Sequence, residues 1–244
     1  MQSHASPPLG FLAVQVDIHR PPGDPFNPQT WPFPLLHELI PGSPESQIVS
    51  KDPYPPSFLD SAVAAGKKLA ERGARGIITS CGFLVLAQKE LASRIGIPVA
   101  TSALIQIPSI LAILPPGKVV GVLTYDAERL GAAHLQAVDV DPERIRIRGM
   151  SVHGHLRAVI QKGVTYDEVL MGKEMVDGAV ALVDECRARG EEIGALVLEC
   201  TQMPPYAEAI QKRVQVPVYD VYSMGLWFYS GLVRQNPAAW TSFG

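Results

Sequence analysis

The fold of this chain is predicted from two matching segments, Gly76-Ile77-Ile78-Thr79-Ser80-Cys81 and Ala195-Leu196-Val197-Leu198-Glu199-Cys200. In each segment a short apolar run ends in a cysteine, and a second apolar run begins at Pro98 or Pro217, 17 residues after the cysteine in both cases. Short apolar runs bounded by glycine or proline are typical of parallel strands that are buried on both faces. The equal spacing therefore predicts a duplicated unit of strand, cysteine turn, helix and strand.

The rest of the chain repeats this alternation of strands and helices. The predicted strands are 11–16, 76–79, 98–101, 119–123, 196–198 and 217–221. The predicted helices are 58–71, capped by Ser57 and ended by Gly73, then 89–95, 166–189, closed by Gly190, and 207–214. Such alternation predicts an α/β fold with right-handed crossovers and mainly parallel sheets.

The composition is that of a globular protein. The chain has 244 residues, of which 47% are hydrophobic and 18% charged, and its net charge is −3. A charge so close to zero gives no basic field for nucleic acid or for an anionic membrane. No apolar run reaches the roughly 18 residues of a membrane span, and no signal peptide is evident at the N-terminus. Three cysteines are too few for a disulfide framework, so we expect a reducing, cytoplasmic compartment.

Two further segments have a distinctive pattern. Arg144-Ile145-Arg146-Ile147-Arg148 alternates with period two, which predicts an edge strand with one solvated face. A nucleic-acid patch is the alternative, and the shortness of the run disfavours it. Segment 23–34 is rich in proline and follows the first strand. It is predicted to be a rigid loop, which either lines a ligand crevice or simply connects two elements at the surface.

Each repeated cysteine is expected where a strand turns into a helix. The free N–H groups at such a turn bind carboxylates, and they also lower the pKa of a thiol. One thiolate could then remove a proton from a carbon acid while the opposite thiol delivers one to the other face. Cys81 and Cys200 are therefore the candidate acid/base pair. Cys186 lies inside a predicted helix and has no counterpart in the other half, so we expect it to be structural.

Four other polar residues are weaker candidates. Asp17, at the end of the first predicted strand, either binds substrate or is only a turn residue. Glu199 precedes Cys200, so strand alternation should turn it away from the thiol and into a structural salt bridge. His153 and His155 lack the further ligands of a metal site. No glycine-rich phosphate loop is present, so neither a metal nor a nucleotide cofactor is expected.

The residues around the two cysteines resemble a known family. Cys200-Thr201-Gln202-Met203-Pro204 is similar to the Cys-Thr-His-x-Pro motif of the aspartate/glutamate/hydantoin racemase superfamily. Thr79-Ser80-Cys81-Gly82 resembles the first cysteine motif of that superfamily. The segment 119–124, Val-Val-Gly-Val-Leu-Thr, is similar to the strand that opens its second domain.

This resemblance implies two pseudo-symmetric flavodoxin-like lobes with a cleft between them, and two-base catalysis without a cofactor. The first lobe would comprise residues 1–104 and 220–244, and the second lobe residues 105–219. Cys81 and Cys200 would be the acid/base pair, and Thr201 would help to hold a substrate carboxylate. Thr124 would face the same cleft. The flanking residues Ser80 and Gly82 would supply further donors.

The chain also departs from this pattern. Gly82-Phe83 replaces the Asn-Thr that follows the first cysteine in aspartate and glutamate racemases, and Gln202 replaces a histidine. Fewer partners are then evident for a second carboxylate. If Phe83 and Trp31 face the cleft, the pocket is more apolar, although Phe83 could equally be core packing. These departures favour a bulkier substrate, such as a hydantoin, over aspartate or glutamate.

Three functions remain open from the sequence. The leading hypothesis is an amino-acid or hydantoin racemase or epimerase that acts next to a carboxylate or amide carbonyl. The second is a maleate-type isomerase or a decarboxylase; the related decarboxylases keep one cysteine, so the pair argues against them. The third is a small-molecule binding protein without catalysis. The expected partner is a small carboxylate, amino acid or hydantoin, with no nucleic acid and no membrane, and a homo-oligomer is left open.

Overall fold

Two four-stranded parallel sheets form the framework of the protein. The computed structural model describes residues 6–235. The first sheet contains β1 (Leu9–Ala13), β2 (Leu35–Leu39), β3 (Ile77–Thr79) and β4 (Val99–Ala100), in the order β2-β1-β3-β4. The second contains β5 (Val119–Thr124), β6 (Ile145–Gly149), β7 (Ile193–Leu198) and β8 (Val218–Tyr219), in the order β6-β5-β7-β8. Neighbouring strands are parallel throughout. The predicted α/β fold with two mainly parallel sheets is confirmed.

Helices connect these strands. Within the described residues they are α1 (Glu45–Ile48), α2 (Pro56–Glu71), α3 (Gln88–Ile95), α4 (Ile107–Ile113), α5 (Ala132–Gln136), α6 (His155–Lys162), α7 (Glu168–Ala188), α8 (Ala207–Val214) and α9 (Val221–Leu232). Helix α8 has the predicted bounds, and α2, α3 and α7 end within a residue or two of theirs. No helix between residues 6 and 235 combines the length and the apolar character needed to cross a membrane.

The predicted cap of α2 is wrong. The helix begins at Pro56 and has Pro55 in the capping position, so Ser57 lies inside the first turn. Proline is well suited to the first turn because the N–H it lacks would have no partner there. At the other end Gly73 adopts a left-handed conformation, with φ of 93°, as its predicted role in ending the helix requires.

Three of the differences from the predicted strands have a clear local cause. Strand β1 ends at Ala13, not at residue 16, because the Val14 N–H leaves the ladder and donates to Ser80 Oγ at 2.8 Å. Val221 begins α9 instead of ending a strand, because the Asp220 carboxylate accepts the Ser223 N–H at 2.8 Å and caps the helix. Strand β2 was missed, since its residues are half-buried at a sheet edge and do not form a continuous apolar run.

The duplication inferred from the cysteines is visible in the pairing of the strands. Both sheets have the same strand order relative to the chain. Ile77 pairs with Val99 in the first sheet, and Leu196 pairs with Val218 in the second. The partners are 22 residues apart in both pairs, and each cysteine follows the first partner by four residues. The two cysteine turns are therefore in equivalent positions.

The arginine-rich segment forms edge strand β6, as predicted. Its side chains contact residues of their own half. Arg146 pairs with Glu191, Arg148 pairs with Glu185, and Arg144 donates to the carbonyl oxygen of Lys118 at 2.8 Å. Because each arginine already has a partner, this surface gives no support to a nucleic-acid patch.

The C-terminal helix α9 packs on the first sheet. Its residues Met224 and Tyr229 join Phe11 and Trp31 in one buried cluster. The Tyr229 hydroxyl also donates to the carbonyl oxygen of Pro7 at 2.6 Å. This packing agrees with a chain that returns to its first lobe, while the division into 1–104 plus 220–244 and 105–219 stays a prediction.

Candidate active site

Cys81 and Cys200 line one small cavity. Cys81 lies between β3 and a tight turn of helix at Gly82–Ala87, and Cys200 follows β7. Parallel strands bring these carboxyl-end turns to the sheet edge where ligands usually bind. The two thiols share a cavity of about 60 Å³ with residues from both halves of the chain. We call it the thiol cavity.

The residues before the two cysteines occupy equivalent positions but differ in chemistry. The Ser80 hydroxyl accepts the Val14 N–H at 2.8 Å, in the loop after β1. In the other half, Glu199 Oε2 accepts the Tyr125 N–H at 3.4 Å, in the loop after β5. The duplication therefore places a neutral hydroxyl beside one thiol and a carboxyl group beside the other.

Glu199 is a buried part of this site. Only 1% of the residue is exposed, and it lines the thiol cavity. Burial raises its pKa to about 7, although the hydroxyl of Thr124, which donates to Oε2 at 2.7 Å, favours the charged form. Glu199 forms no salt bridge with any described residue, so the predicted structural salt bridge is wrong. Strand β7 ends at Leu198, so the strict alternation of side-chain directions does not extend to Glu199.

The two thiols are held in the protonated form. Burial is the main cause that raises the pKa of Cys81 and that of Cys200, and the charge of Glu199 raises both further. The N–H groups of Phe83 and Gln202 act in the opposite direction, each on the cysteine two residues before it. The expectation of thiols with lowered pKa values is therefore wrong, since burial raises the pKa of each thiol by more than the N–H donors of the turn lower it.

Apolar side chains form most of the remaining wall. Val14, Val16 and Ile18 contribute from the loop after β1, and Phe83 lies beside Cys81. Phe83 is 1% exposed and packs edge-on against His134, with ring centroids 5.1 Å apart. Phe83 thus packs in the core and also lines the cavity, and these are the two positions that the sequence analysis considered for it.

The other predicted substrate-binding residues fall into two groups. Ser80, Gly82 and Thr201 line the cavity, as expected. The Thr201 hydroxyl is already used, since it donates to the carbonyl oxygen of Ser80 at 2.7 Å across the two halves. Thr124 is fully buried and does not line the cavity; it acts on Glu199 through its hydroxyl.

Asp17 and Trp31 do not line the thiol cavity. Asp17 is exposed and lies outside the cavity lining, because β1 ends four residues before it. Trp31 is buried in the core of the first half, where its indole N–H donates to the carbonyl oxygen of Pro25 at 2.8 Å. None of residues 23–34 lines the cavity. Asp24 in this loop accepts a hydrogen bond from the amide of Gln202, which is a lining residue.

Sequence reasoning missed three polar residues of the cavity, Arg20, Glu45 and Tyr125. Tyr125 follows directly after β5, so the rule that ligands bind at strand carboxyl ends could have identified it. Glu45 follows β2, which was itself missed. Arg20 lies seven residues beyond the end of β1, and no sequence signal marks it.

No metal-binding cluster is formed by the histidine, cysteine, aspartate and glutamate side chains within residues 6–235. His155 Nε2 accepts the Asp167 N–H at 2.9 Å.

Comparisons with known proteins agree with this architecture. No protein-family model matches the chain. An arylmalonate decarboxylase structure has a TM-score of 0.59 with 16% identity, over 98% of this chain and 97% of that one. A glutamate racemase from Francisella tularensis has a TM-score of 0.54 with 16% identity, over 95% and 85%. An aspartate racemase homologue from Pyrococcus horikoshii has a TM-score of 0.55 with 12% identity, over 93% and 99%.

The chain therefore has the two-lobed fold of the aspartate/glutamate/hydantoin racemase superfamily, as the cysteine motifs predicted. The sequence relatives of this chain are named as lyases, unlike the decarboxylase and racemases among its structural neighbours. A dimethylsulfoniopropionate lyase from Durusdinium sp. clade D is 28% identical, over 96% of this chain and 77% of that protein. Dimethylsulfoniopropionate lyase 5 from Emiliania huxleyi is 27% identical, over 100% of this chain and 49% of that protein. Together these relatives and neighbours indicate an enzyme.

Proposed function

We propose that this protein is a cofactor-independent lyase that removes a proton next to a carboxylate and expels a leaving group from the adjacent carbon. Its substrate would be a β-sulfonio carboxylate such as dimethylsulfoniopropionate. The observation that carries the proposal is the pair of equivalent thiols on one apolar cavity. The choice of dimethyl sulfide as the leaving group rests on the sequence relatives, which are named dimethylsulfoniopropionate lyases.

The proposed reaction is a β-elimination. The thiolate of one cysteine takes a proton from the carbon next to the carboxylate, and the electron pair of that C–H bond forms a carbon–carbon double bond. The C–S bond breaks, and its electron pair leaves with the neutral sulfide. The products are acrylate, dimethyl sulfide and a thiol, which is the resting form of the cysteine. Proton transfer of this kind contributes about 10² to 10⁴-fold to a rate.

The resting thiol that acts as the base must first lose its proton to solvent. Cys81 is half-buried and Cys200 is buried, and the charge of Glu199 favours the neutral form of both thiols. A bound sulfonium would bring a positive charge into the same cavity and so favour a thiolate. The N–H groups of Phe83 and Gln202 would then support the charged sulfur. In this scheme the substrate itself activates the base.

A racemase or epimerase is the second candidate, and the number of thiols favours it. Elimination needs one base, whereas inversion at carbon needs a second group that delivers a proton to the opposite face. Cys81 and Cys200 occupy equivalent positions in the two halves and satisfy that need. The substrates would be amino acids or hydantoins.

One experiment separates these functions. The purified protein is incubated in deuterium oxide with dimethylsulfoniopropionate, and separately with single enantiomers of amino acids and hydantoins. Release of dimethyl sulfide with acrylate supports the lyase. Deuterium at the carbon next to the carbonyl with loss of optical purity supports the racemase. Neither product with any substrate rejects both reactions and favours a binding protein.

Cysteine variants test the proposed thiol chemistry. For the lyase, replacing the cysteine that acts as the base, by Cys81→Ala or by Cys200→Ala, should lower kcat by at least about 100-fold, whereas a racemase should lose its activity in both variants. Cys186→Ala is the matched control, because Cys186 is buried in α7 away from the cavity. If both variants keep the wild-type rate of dimethyl sulfide release, the thiol mechanism of the lyase is wrong. If either variant keeps the wild-type rate of racemisation, the two-thiol mechanism of the racemase is wrong.

A further inference from the structure

Glu199 lines the thiol cavity, and its carboxyl group has no cationic partner among residues 6–235. Both hydrogen bonds that it accepts from described residues end on Oε2, one from Thr124 and one from Tyr125. Oε1 is directed toward Gly82, at the cavity side of the turn that follows Cys81. A buried carboxylate is normally paired, because leaving it unpaired costs free energy.

The charges already in the cavity do not supply that partner. Among the described residues that line it, Arg20 is the only basic one. Arg20 is engaged elsewhere, since it pairs with Asp24 at 3.3 Å and donates to the carbonyl oxygen of Val16 at 3.0 Å. Glu45 adds a second carboxylate to the lining. The cavity therefore carries an excess of negative charge when its carboxylates are ionised.

The apolar side chains that line the thiol cavity favour one chemical class of cation over others. An ammonium or guanidinium group would need several acceptors for its N–H donors. Val14, Val16 and Ile18 offer only apolar surface. An onium centre whose substituents are methyl groups has no N–H to satisfy, and it can place its methyl groups on such walls while its charge faces a carboxylate.

We propose that Glu199 is the specificity-determining residue that recognises a methylated onium centre in the substrate. This inference rests on the proposed lyase function, in which the substrate carries a sulfonium. It also explains why the two halves differ at one equivalent position: Ser80 is neutral, whereas Glu199 provides the charge that a cationic ligand needs.

The role assigned to Glu199 is binding, with little direct effect on the chemical step. The positive charge of the sulfonium disappears as the C–S bond breaks. A carboxylate beside it therefore stabilises the bound substrate at least as strongly as the transition state. Loss of the charge should raise KM and should not lower kcat, since the charge of Glu199 also disfavours the thiolate.

The test uses two unreactive ligands that differ in charge. Trimethylammoniopropionate carries an onium centre, whereas isocaproate has the carbon skeleton of the substrate with carbon in place of sulfur. Binding of each is measured by calorimetry at pH 8 to wild type and to Glu199→Gln. The glutamine can still accept the hydroxyl hydrogen bond of Thr124, and a thermal unfolding curve confirms that the variant is folded.

Wild type should prefer the onium ligand. Glu199→Gln should weaken it by about tenfold or more and should leave isocaproate binding unchanged or tighter. Glu45→Gln is the matched control, since Glu45 is half-buried and better solvated, so its loss should have a smaller effect. Equal weakening of both ligands, no weakening of either, no onium preference in wild type, or a larger effect of Glu45→Gln each overturns the inference.

Kinetics with dimethylsulfoniopropionate give a second readout. Glu199→Gln should raise KM by about tenfold and leave kcat unchanged or higher. A fall in kcat at unchanged KM would instead make Glu199 a proton carrier and overturn the inference. If wild type binds the onium ligand through Glu199 but releases no dimethyl sulfide, the lyase proposal fails while the recognition of the cation stands.

Discussion

The carboxyl group of Glu199 occupies the space that a side chain at position 82 would need. A Cβ built on Gly82 would lie 2.5 Å from the carbonyl oxygen of Glu199 and closer still to its Oε1. The two residues come from different halves of the chain and follow different strands, β7 and β3. The glycine after Cys81, which departs from the racemase motif, is therefore matched to the glutamate before Cys200.

We predict that Gly82→Ala destabilises the protein by about 1–3 kcal/mol, the usual cost of inserting a methyl group into a packed site. Urea unfolding measures this loss. In a Glu199→Ala background the penalty should shrink but not vanish, because the backbone carbonyl oxygen remains in contact. Gly231→Ala is the control, since a Cβ there meets nothing within 4 Å, and its stability should be unchanged or higher. A full penalty for Gly82→Ala without Glu199 would contradict this coupling.

Glu199 should also make stability depend on pH. Its pKa is raised from an ordinary value of 4.5 to about 7 in the folded protein. Between these values the folded state keeps a proton that the unfolded state releases, so the contribution of Glu199 to stability falls as pH rises. The full change is about 3 kcal/mol.

Urea unfolding of wild type and Glu199→Gln from pH 4 to 8 isolates this effect. The stability of wild type minus that of the variant should fall across the window. His134, whose pKa burial lowers to about 4, acts with the opposite sign, but it is present in both proteins and cancels in the difference. A difference that stays constant with pH would show that Glu199 keeps its ordinary pKa.

The thiols should react slowly with alkylating reagents at neutral pH. Burial and the charge of Glu199 raise the pKa of both Cys81 and Cys200, so few thiolates are present. We predict slow modification by iodoacetamide at pH 7 and faster modification above pH 9, measured by peptide mass spectrometry. Glu199→Gln should speed the reaction at both cysteines at a given pH. Rapid labelling of wild type at pH 7 would instead reveal thiolates already activated at rest.

Thr201 should be important for joining the two halves at the site. Its hydroxyl donates to the carbonyl oxygen of Ser80 at 2.7 Å, and both residues flank a cysteine. Thr201→Val keeps the shape but leaves that buried carbonyl without this donor, which should cost about 1–3 kcal/mol in unfolding free energy. Thr201→Ser restores the hydroxyl and should recover most of the loss. Equal stability of Thr201→Val and wild type would show that another donor replaces the hydroxyl.

Much of the architecture could be predicted from local pattern. The apolar runs before Cys81 and Cys200 marked β3 and β7, and the equal spacing to Pro98 and Pro217 anticipated the duplicated pairing register. Burial on both faces makes such strands continuously apolar, so they are easy to recognise. Strand β2 escaped because an edge strand is only half-buried and its residues are mixed.

The sequence by itself determined the fold class, the equivalence of the two cysteine turns and the placement of both thiols at strand ends, because these follow from spacing and from the periodicity of apolar residues. Tertiary structure alone decided the electrostatics. The contact between Glu199 and Gly82, the hydroxyl bond from Thr124 and the exclusion of Asp17 from the cavity depend on residues distant in the chain. Burial sets the pKa values of Glu199 and of the thiols, and burial exists only once the two halves have packed together.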